Sequence, residues 1–340
     1  MNNADWRASA SISTLKKYAR IIQDIRAFFL QREVLEVFVP CIASSAATAP
    51  YLDSIVVQTP VTTSQKSPQE QPFFLQTSPE FFMKRLLCSD SGPIYSIGPA
   101  FRRGEISARH NPEFTMLEWY RPGWHYRQLM DEIEQLMVAL FGSMEIERLS
   151  YRALFMEYTQ VDPHCAELSQ LEGIAAEKMG YLTPDADEES VSRESLPKEQ
   201  SRDEWLELIF SGYILPKTKN RSLMIDEFPV GQAELAETST DHFGNPVASR
   251  FELYVNGIEL ANGYQELTDV DELTLRLTSW NQQRKQLGKP VIPLDQYLIA
   301  AQTHGLPHCS GVALGVERLA MCLMGVSSID EVLAFPIGRV

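Results

Sequence analysis

The chain has 340 residues, 44% of them hydrophobic, enough to bury a large core in one big domain or two modest ones. Its formal net charge of −15 at pH 7 disfavours a broad polyanion-binding surface, which needs clustered Lys and Arg, and favours a cationic partner. The five cysteines form no CxxC pair, no apolar run is long enough to span a membrane, and the N-terminus lacks a signal-peptide core, so a reduced, cytoplasmic protein is expected.

After a tail over 1–13, apolar spacing predicts an amphipathic helix over 14–33 (Leu15, Tyr18, Ile22, Ile25, Phe29), capped by Ser13 or Thr14. "EVFVP" (36–40) reads as a strand ended by proline, 58–72 as a polar loop and "FFLQ" (73–76) as a short strand. Ser78-Pro79-Glu80 starts a helix running to about Leu87. Strands over 93–105 and 113–120 flank a loop at 106–112, and a helix covers 126–141. The middle, 150–215, is mostly helical, interrupted at 183–204. "SLMIDEF" (222–228) opens a second set of strands, continued by 250–266. Helices follow near 270–287 and 294–303, then a strand over 309–315 runs into a helix over 316–324. Strands neighbour strands, so the expected fold is α+β, a mainly antiparallel sheet flanked by helices.

Three constellations carry chemistry. In "RFELYVNGIELANGYQE" (250–266), Asn256-Gly257 predicts a two-residue hairpin turn. Tyr254 then faces Glu259, and Glu252 faces Ala261. Leu253, Val255, Ile258 and Leu260 share an apolar face, while Glu252, Tyr254 and Glu259 share the other. Two glutamates so placed either clamp one divalent ion with substrate phosphates or form an ordinary solvated face. The second constellation is Arg102 with Glu105, Asn111, Glu113 and Glu118. An Arg there holds a carboxylate or phosphate bidentately, or makes only a surface ion pair. The third is "SGVALGVERL" (310–319), where Gly311 and Gly315 allow close backbone approach and Arg318 lies near a helix start.

In order, these stretches resemble the three motifs of class II aminoacyl-tRNA synthetases: a long helix and a strand ending at Pro40, an F-R-x-E strand with loop and return strand (101–119), and a glycine-rich strand entering a helix near an Arg (311–318). "TSPEFFMKRLL", "ISARHNPEFTMLEWY" and "GIELANGYQEL" are similar to the lysyl-tRNA synthetase catalytic core. The core opens near residue 14, leaving no room for the anticodon-binding barrel of those enzymes, and this resembles the elongation factor P–lysine ligase family.

The resemblance implies a single catalytic domain over 14–340, a homodimer, and an ATP-dependent ligase using Mg²⁺. Such an enzyme activates lysine or (R)-β-lysine as an adenylate and transfers it to a lysine of elongation factor P, with no tRNA and no membrane involved. It also implies roles. Arg102 and Arg318 are catalytic, holding the α- and γ-phosphates. Arg103, Gly104, Glu105, Asn111, Glu259, Leu260 and Gly315 line the ATP site. Glu252 and Glu259 hold the metal. Ser78, Pro79, Glu80, Glu118, Tyr120, Asn262, Glu266 and Ala313 form the amino-acid pocket. The sequence departs from the pattern where Gly104 replaces the motif Glu, Ala313 replaces a glycine and Ser78 replaces an alanine. For Glu259 and Glu266 to serve one site the strand between them must bulge, and Asn262-Gly263 is the expected place. The alternatives are a lysyl-tRNA synthetase-like enzyme acting on tRNA or another acceptor, and a non-catalytic synthetase-like regulator.

Overall fold

The computed structural model describes residues 6–58, 72–180 and 201–340. The loop expected at 58–72 and the interruption at 183–204 therefore lie largely outside the described residues. The chain divides into two compact units, Met1–Met144 with Gln265–Val340, and Glu145–Tyr264.

The first unit opens with α1 (Ile12–Leu30), two residues earlier than its apolar spacing suggests, because Ser11 caps it by accepting from Thr14 N–H at 3.1 Å. β1 (Leu35–Glu36) is shorter than the expected 36–40. Pairing stops after Val37 N–H reaches the Tyr95 carbonyl at 2.8 Å, and Pro40 has no N–H to offer. β2 (Ile42–Ala43), β3 (Val56–Val57) and β4 (Phe73–Leu75) make a small antiparallel sheet in the order β2-β4-β3. Then come α2 (Glu80–Leu87), β5 (Ile94–Phe101), β6 (Glu113–Pro122) and α3 (Tyr126–Phe141).

β5 and β6 pair antiparallel, while β1 joins β5 in parallel. Phe29 of α1 stacks on Tyr95 of β5 at 4.5 Å between ring centroids and meets the edge of Trp119 of β6 at 5.3 Å. Trp119 is fully buried, and its indole N–H donates to Glu132 of α3 at 3.0 Å. One face of these strands is thus an apolar floor under α1 and α3. Burying aromatic side chains of this size stabilises the fold by roughly 2–3 kcal/mol each.

The second unit begins with β7 (Glu147–Ser150), α4 (Tyr151–Thr159), α5 (Leu168–Ile174) and α6 (Arg202–Ile209). β8 (Ser222–Pro229), β9 (Thr238–Thr240), β10 (Pro246–Val255) and β11 (Ile258–Gln265) follow. β7 lies parallel to β8, and β8, β9 and β11 all pair antiparallel with β10. Tyr151 and Phe210, stacked at 4.5 Å, cover this sheet by packing on Phe228 of β8.

Returning to the first unit, the chain adds α7 (Val270–Gln286), α8 (Gln296–Gly305), β12 (Cys309–Gly315) and α9 (Val316–Met324). β12 pairs antiparallel with β6. Strand pairing in each unit is therefore mainly antiparallel, with a short parallel contact of β1 with β5 in the first and of β7 with β8 in the second. Among the described residues no helix is long and apolar enough to cross a membrane.

Candidate active site

In the first unit the site is built on the face of β6 and β12 opposite Trp119. Period-two alternation puts Glu118 and Tyr120 on that face. Register sets Glu118 opposite Ala313 and Tyr120 opposite Gly311. Glu118 is buried and accepts from the Tyr120 hydroxyl at 2.7 Å and the Ser78 hydroxyl at 2.8 Å. Ser78 Oγ also accepts from Glu80 N–H at 3.0 Å, which starts α2 just past Pro79. One hydroxyl thus begins the helix and orients a pocket carboxylate.

Glu80 points to Lys84 one turn on, at 2.6 Å, and Lys84 also lies 2.6 Å from Glu266. Burial works against the charged form of Lys84, but Glu266 and Glu80 outweigh it and hold its pKa above the usual lysine range. Burial, with help from Glu80, pushes Glu118 up to about 8, against the pull of the Tyr120 and Ser78 hydroxyls. Of the expected pocket residues, Ser78, Glu80, Glu118, Tyr120 and Glu266 are brought together. Lys84 was not anticipated. Its only sequence signal was the i,i+4 spacing from Glu80 on a predicted helix.

Gly311 does not leave room for a ligand, as its sequence position suggested. A Cβ there would lie 2.3 Å from the Tyr120 ring and 2.4 Å from the Glu266 carboxylate, so the pocket's own side chains fill the space. A Cβ at Gly315 would meet nothing closer than the Arg318 side chain at 3.8 Å.

Arg102 follows the end of β5. Its N–H donates to the Pro112 carbonyl at 2.9 Å, and Arg103 N–H donates to the Asp53 carbonyl at 2.7 Å. Gly104 has φ 81°, a left-handed turn that brings Glu105 within 3.7 Å of the Arg102 guanidinium. Glu105 therefore reaches back to Arg102 although Gly104 stands at the motif position. Arg102 Nε is buried and meets no acceptor among the described residues. A phosphate or carboxylate oxygen fits that donor.

Asn111 is buried, donating to the Glu113 carbonyl at 2.6 Å and accepting from Ile337 N–H at 2.9 Å. Those bonds shape the loop after β5. Arg318 donates to His110 Nε2, which leaves the ring proton on Nδ1, 2.7 Å from Ser107 Oγ. Neighbouring Glu317 accepts Thr115 N–H on both oxygens (3.0 and 2.9 Å) and the Tyr18 hydroxyl at 2.9 Å, tying α9 to β6 and α1. His110 and Glu317 were not expected as partners, because their contacts are long-range.

The second unit holds Glu252, Glu259, Leu260 and Asn262. Asn256 and Gly257 both have positive φ, as their turn requires, and Tyr254 faces Glu259. Beyond that the register differs from expectation. Glu252 faces Asn262 rather than Ala261, because Leu260 is the extra residue of a bulge; the irregularity is not at Asn262-Gly263. The bulge lets Leu260 bury without losing the ladder. The face bearing Glu252 and Tyr254 is not solvated either, since both are buried and Tyr254 joins the core under the helices. Glu252 accepts from Arg250 and from the Tyr254 hydroxyl. Burial raises Glu252 to about 7, with Arg250 opposing and Glu259 reinforcing. Asn262 accepts from Arg250 at 3.2 Å and donates to Tyr264 at 3.1 Å. Glu252 and Glu259, two carboxylates on one face of the hairpin, are a donor set that a hard divalent ion fits. Among the described residues, no cluster of three or more acidic, His or Cys ligands adds to them.

A sequence profile described as tRNA synthetases class II (D, K and N) matches residues 2–339. The chain belongs to this class II family. It is also 42% identical over 337 residues to an elongation factor P–(R)-beta-lysine ligase of Proteus mirabilis (strain HI4320), covering 99% of this chain and 98% of that one. Proteins of the same name from Hamiltonella defensa subsp. Acyrthosiphon pisum (strain 5AT) and Yersinia enterocolitica (strain NCTC 13174 / 8081) are 40% and 42% identical, with the same coverage.

The raised Glu118 predicts a pH dependence of stability. Between its ordinary value of 4.5 and about 8, the folded chain keeps a proton that the unfolded chain has released, so this contribution fades as pH rises through that window. Urea unfolding of wild type should lose more midpoint between pH of about 6 and about 8.5 than Glu118→Gln does. Parallel pH dependences in the two proteins would rule out the assignment.

Proposed function

We propose that the protein is an ATP-dependent ligase that activates (R)-β-lysine as an aminoacyl-adenylate and transfers it to a lysine side chain of elongation factor P. The observation that carries the amino-acid half is the pocket of Glu118, Glu80 and Glu266 around Tyr120 and Ser78, a charge pattern suited to a substrate with two ammonium groups. The acceptor half rests on the full-length likeness to relatives bearing that name. A lysyl-tRNA synthetase-like activity on tRNA, or a non-catalytic regulator, is the outcome if the test below fails.

The chemistry assigned to the residues is positioning and charge neutralisation. Arg102 would hold the substrate carboxylate beside the α-phosphate while a carboxylate oxygen attacks phosphorus and pyrophosphate leaves. Arg318 would hold the γ-phosphate. Arg103, Gly104, Glu105, Asn111, Leu260 and Gly315 would shape the nucleotide site. The acceptor lysine amine would then attack the acyl carbon, releasing AMP. Glu252 and Glu259 would hold Mg²⁺, whose contribution is to neutralise phosphate charge. Asn262 is assigned to the amino-acid pocket. The enzyme would act in the cytoplasm.

The test is pyrophosphate exchange with α-lysine and (R)-β-lysine, followed by intact-mass analysis of elongation factor P and an acylation assay on tRNA. The expected outcome is exchange with (R)-β-lysine, a gain of one β-lysyl group on the factor and no tRNA acylation. Glu259→Gln should abolish exchange while the protein stays folded. Acylated tRNA with unmodified factor would overturn the acceptor, and wild-type exchange in Glu259→Gln would overturn the metal assignment.

Ala313 lies opposite Glu118, so its methyl group lies on the pocket face. A methyl group against a bound substrate costs roughly 1–3 kcal/mol, or roughly 5- to 150-fold in binding. Ala313→Gly should therefore raise kcat/KM for α-lysine more than for (R)-β-lysine. An unchanged ratio of the two would exclude Ala313 from isomer choice.

The proposed assembly is a homodimer. Leu30, Leu35 and Phe38 fall within nine residues and are 77%, 56% and 81% exposed, an apolar stretch suited to a second copy. Light scattering at micromolar concentration should give the dimer mass, and a monomer mass would refute it.

A further inference from the structure

Among the described residues, Lys84 is the cation at the pocket's carboxylates that the function above does not use. Only 1% of its side chain is exposed, and one ammonium group lies 2.6 Å from both Glu80 Oε1 and Glu266 Oε2. Glu80 is one turn earlier on the same helix, whereas Glu266 follows β11, and its N–H donates to the Cys309 carbonyl of β12 at 3.0 Å. The bridge thus joins α2 to the strand side of the pocket.

We infer that Lys84 is a built-in counter-cation that positions Glu80 and Glu266 and sets the pocket's charge to that of a diamino carboxylate. The inference deepens the proposed function and rests on reading this pocket as the amino-acid site. The charge count carries it. Glu80, Glu118 and Glu266 bring three negative charges when ionised, and Lys84 removes one. Glu118 keeps its proton up to a pH of about 8 in the free pocket and gives it up when a substrate ammonium docks beside it, so two charges then meet the two ammonium groups of a lysine-type substrate, whose own carboxylate goes to Arg102.

Geometry carries the positioning role. Both carboxylate oxygens are held by one nitrogen, so they lie no farther apart than twice the contact distance. Without the cation, two carboxylates that close cannot both stay ionised near neutral pH, and one takes up a proton. A protonated carboxyl directs an O–H toward the place where an ammonium should dock. The other titratable groups around the bridge are Glu118 and Tyr120 of β6, coupled to Glu80 and Glu266, and Cys88 at the end of α2, coupled to Lys84. Glu118 shares its charge balance with Glu80 and Glu266, so Glu118→Gln in wild-type and Lys84→Met backgrounds separates its own titration from that of the pair.

The experiment compares Lys84→Met, of similar length and no charge, with Lys84→Arg, which keeps the charge. Pyrophosphate exchange is measured against α-lysine, (R)-β-lysine and ATP, with thermal unfolding as a check on folding. In Lys84→Met the KM for the amino acid should rise about tenfold or more near pH 6.5, the range for a lost charge-assisted hydrogen bond, with the ATP KM within about twofold. The ratio of variant to wild-type KM should be smaller at a pH of about 8.5 than at about 6.5, because higher pH draws off the proton the two carboxylates share. Lys84→Arg should fall between the two. An amino-acid KM within about twofold of wild type in Lys84→Met, or equal losses for ATP and amino acid at both pH values, overturns the inference.

If Lys84→Met unfolds, Lys84→Met with Glu80→Gln removes one charge of each sign. That double variant should fold again if charge balance is the role. Its failure to fold would assign Lys84 to packing and overturn the inference. If wild type exchanges with neither lysine isomer, the amino-acid reading fails and takes this inference with it. Exchange by wild type with an unmoved Met variant removes the role of Lys84 alone.

Discussion

The register of β12 against β6 is the constraint on which the pocket depends. Glu118 opposite Ala313 and Tyr120 opposite Gly311 put two pocket side chains against two small residues of the neighbouring strand. A slip of one residue would exchange faces. If β6 slipped, Trp119 would point into the pocket and Glu118 would enter the apolar floor under α1. Trp119 locks the register from below, through its contact with Phe29 and its hydrogen bond to Glu132. Gly311 locks it from above, because only a residue without a Cβ fits beneath Tyr120 and Glu266.

This division explains which parts were legible in the sequence. The helix at 126–141 and the strand-helix pair at 309–324 match their predicted bounds, because strong apolar periodicity and glycine punctuation mark them locally. Glu80, Glu118 and Tyr120 sit at fixed places on regular elements, and Ser78 and Glu266 stand just before α2 and just after β11, so the five converge. The bulge at Leu260 was not legible. Nothing in "GIELANGYQ" distinguishes it from a bulge at Asn262-Gly263, and the choice is made by which side chain buries best. The contact of Lys84 with Glu266 joins residues 182 apart, the gap from 84 to 266, and no local pattern encodes it.

Buried charge in this acidic chain follows one rule in both units. Glu132 takes the Arg121 guanidinium at 2.9 Å through Nε, Glu252 takes Arg250, and Lys84 joins Glu80 to Glu266. Each such pair repays desolvation only while both partners remain. Glu132 is fully matched, by Arg121 and by Arg32 at 3.7 Å, and ties β6 to α3. Lys84 is outnumbered by carboxylates, and so is Arg250, whose neighbours include Glu234 at 3.3 Å as well as Glu252. Burial raises the proton affinity of Glu118 and Glu252, neighbouring carboxylates reinforce it, and both are residues the family resemblance assigns to ligands. Matched pairs hold the scaffold together. Unmatched ones store an attraction for a cation that arrives from outside.

Arg102 completes this logic with the opposite sign. Its backbone is pinned to the Pro112 carbonyl, and the next N–H is pinned to the Asp53 carbonyl. Asp53 is itself clamped by Arg284 and Lys289, each 3.0 Å from its carboxylate, while Arg284 also donates to the Ala49 and Leu52 carbonyls at 3.1 and 3.2 Å. The base of Arg102 is therefore rigid, and the left-handed turn at Gly104 keeps Glu105 beside the guanidinium at 3.7 Å, outside hydrogen-bond length. A donor group held in place but not consumed by its neighbour needs little reorganisation to meet an oxyanion. That is the arrangement from which electrostatic preorganisation gains most.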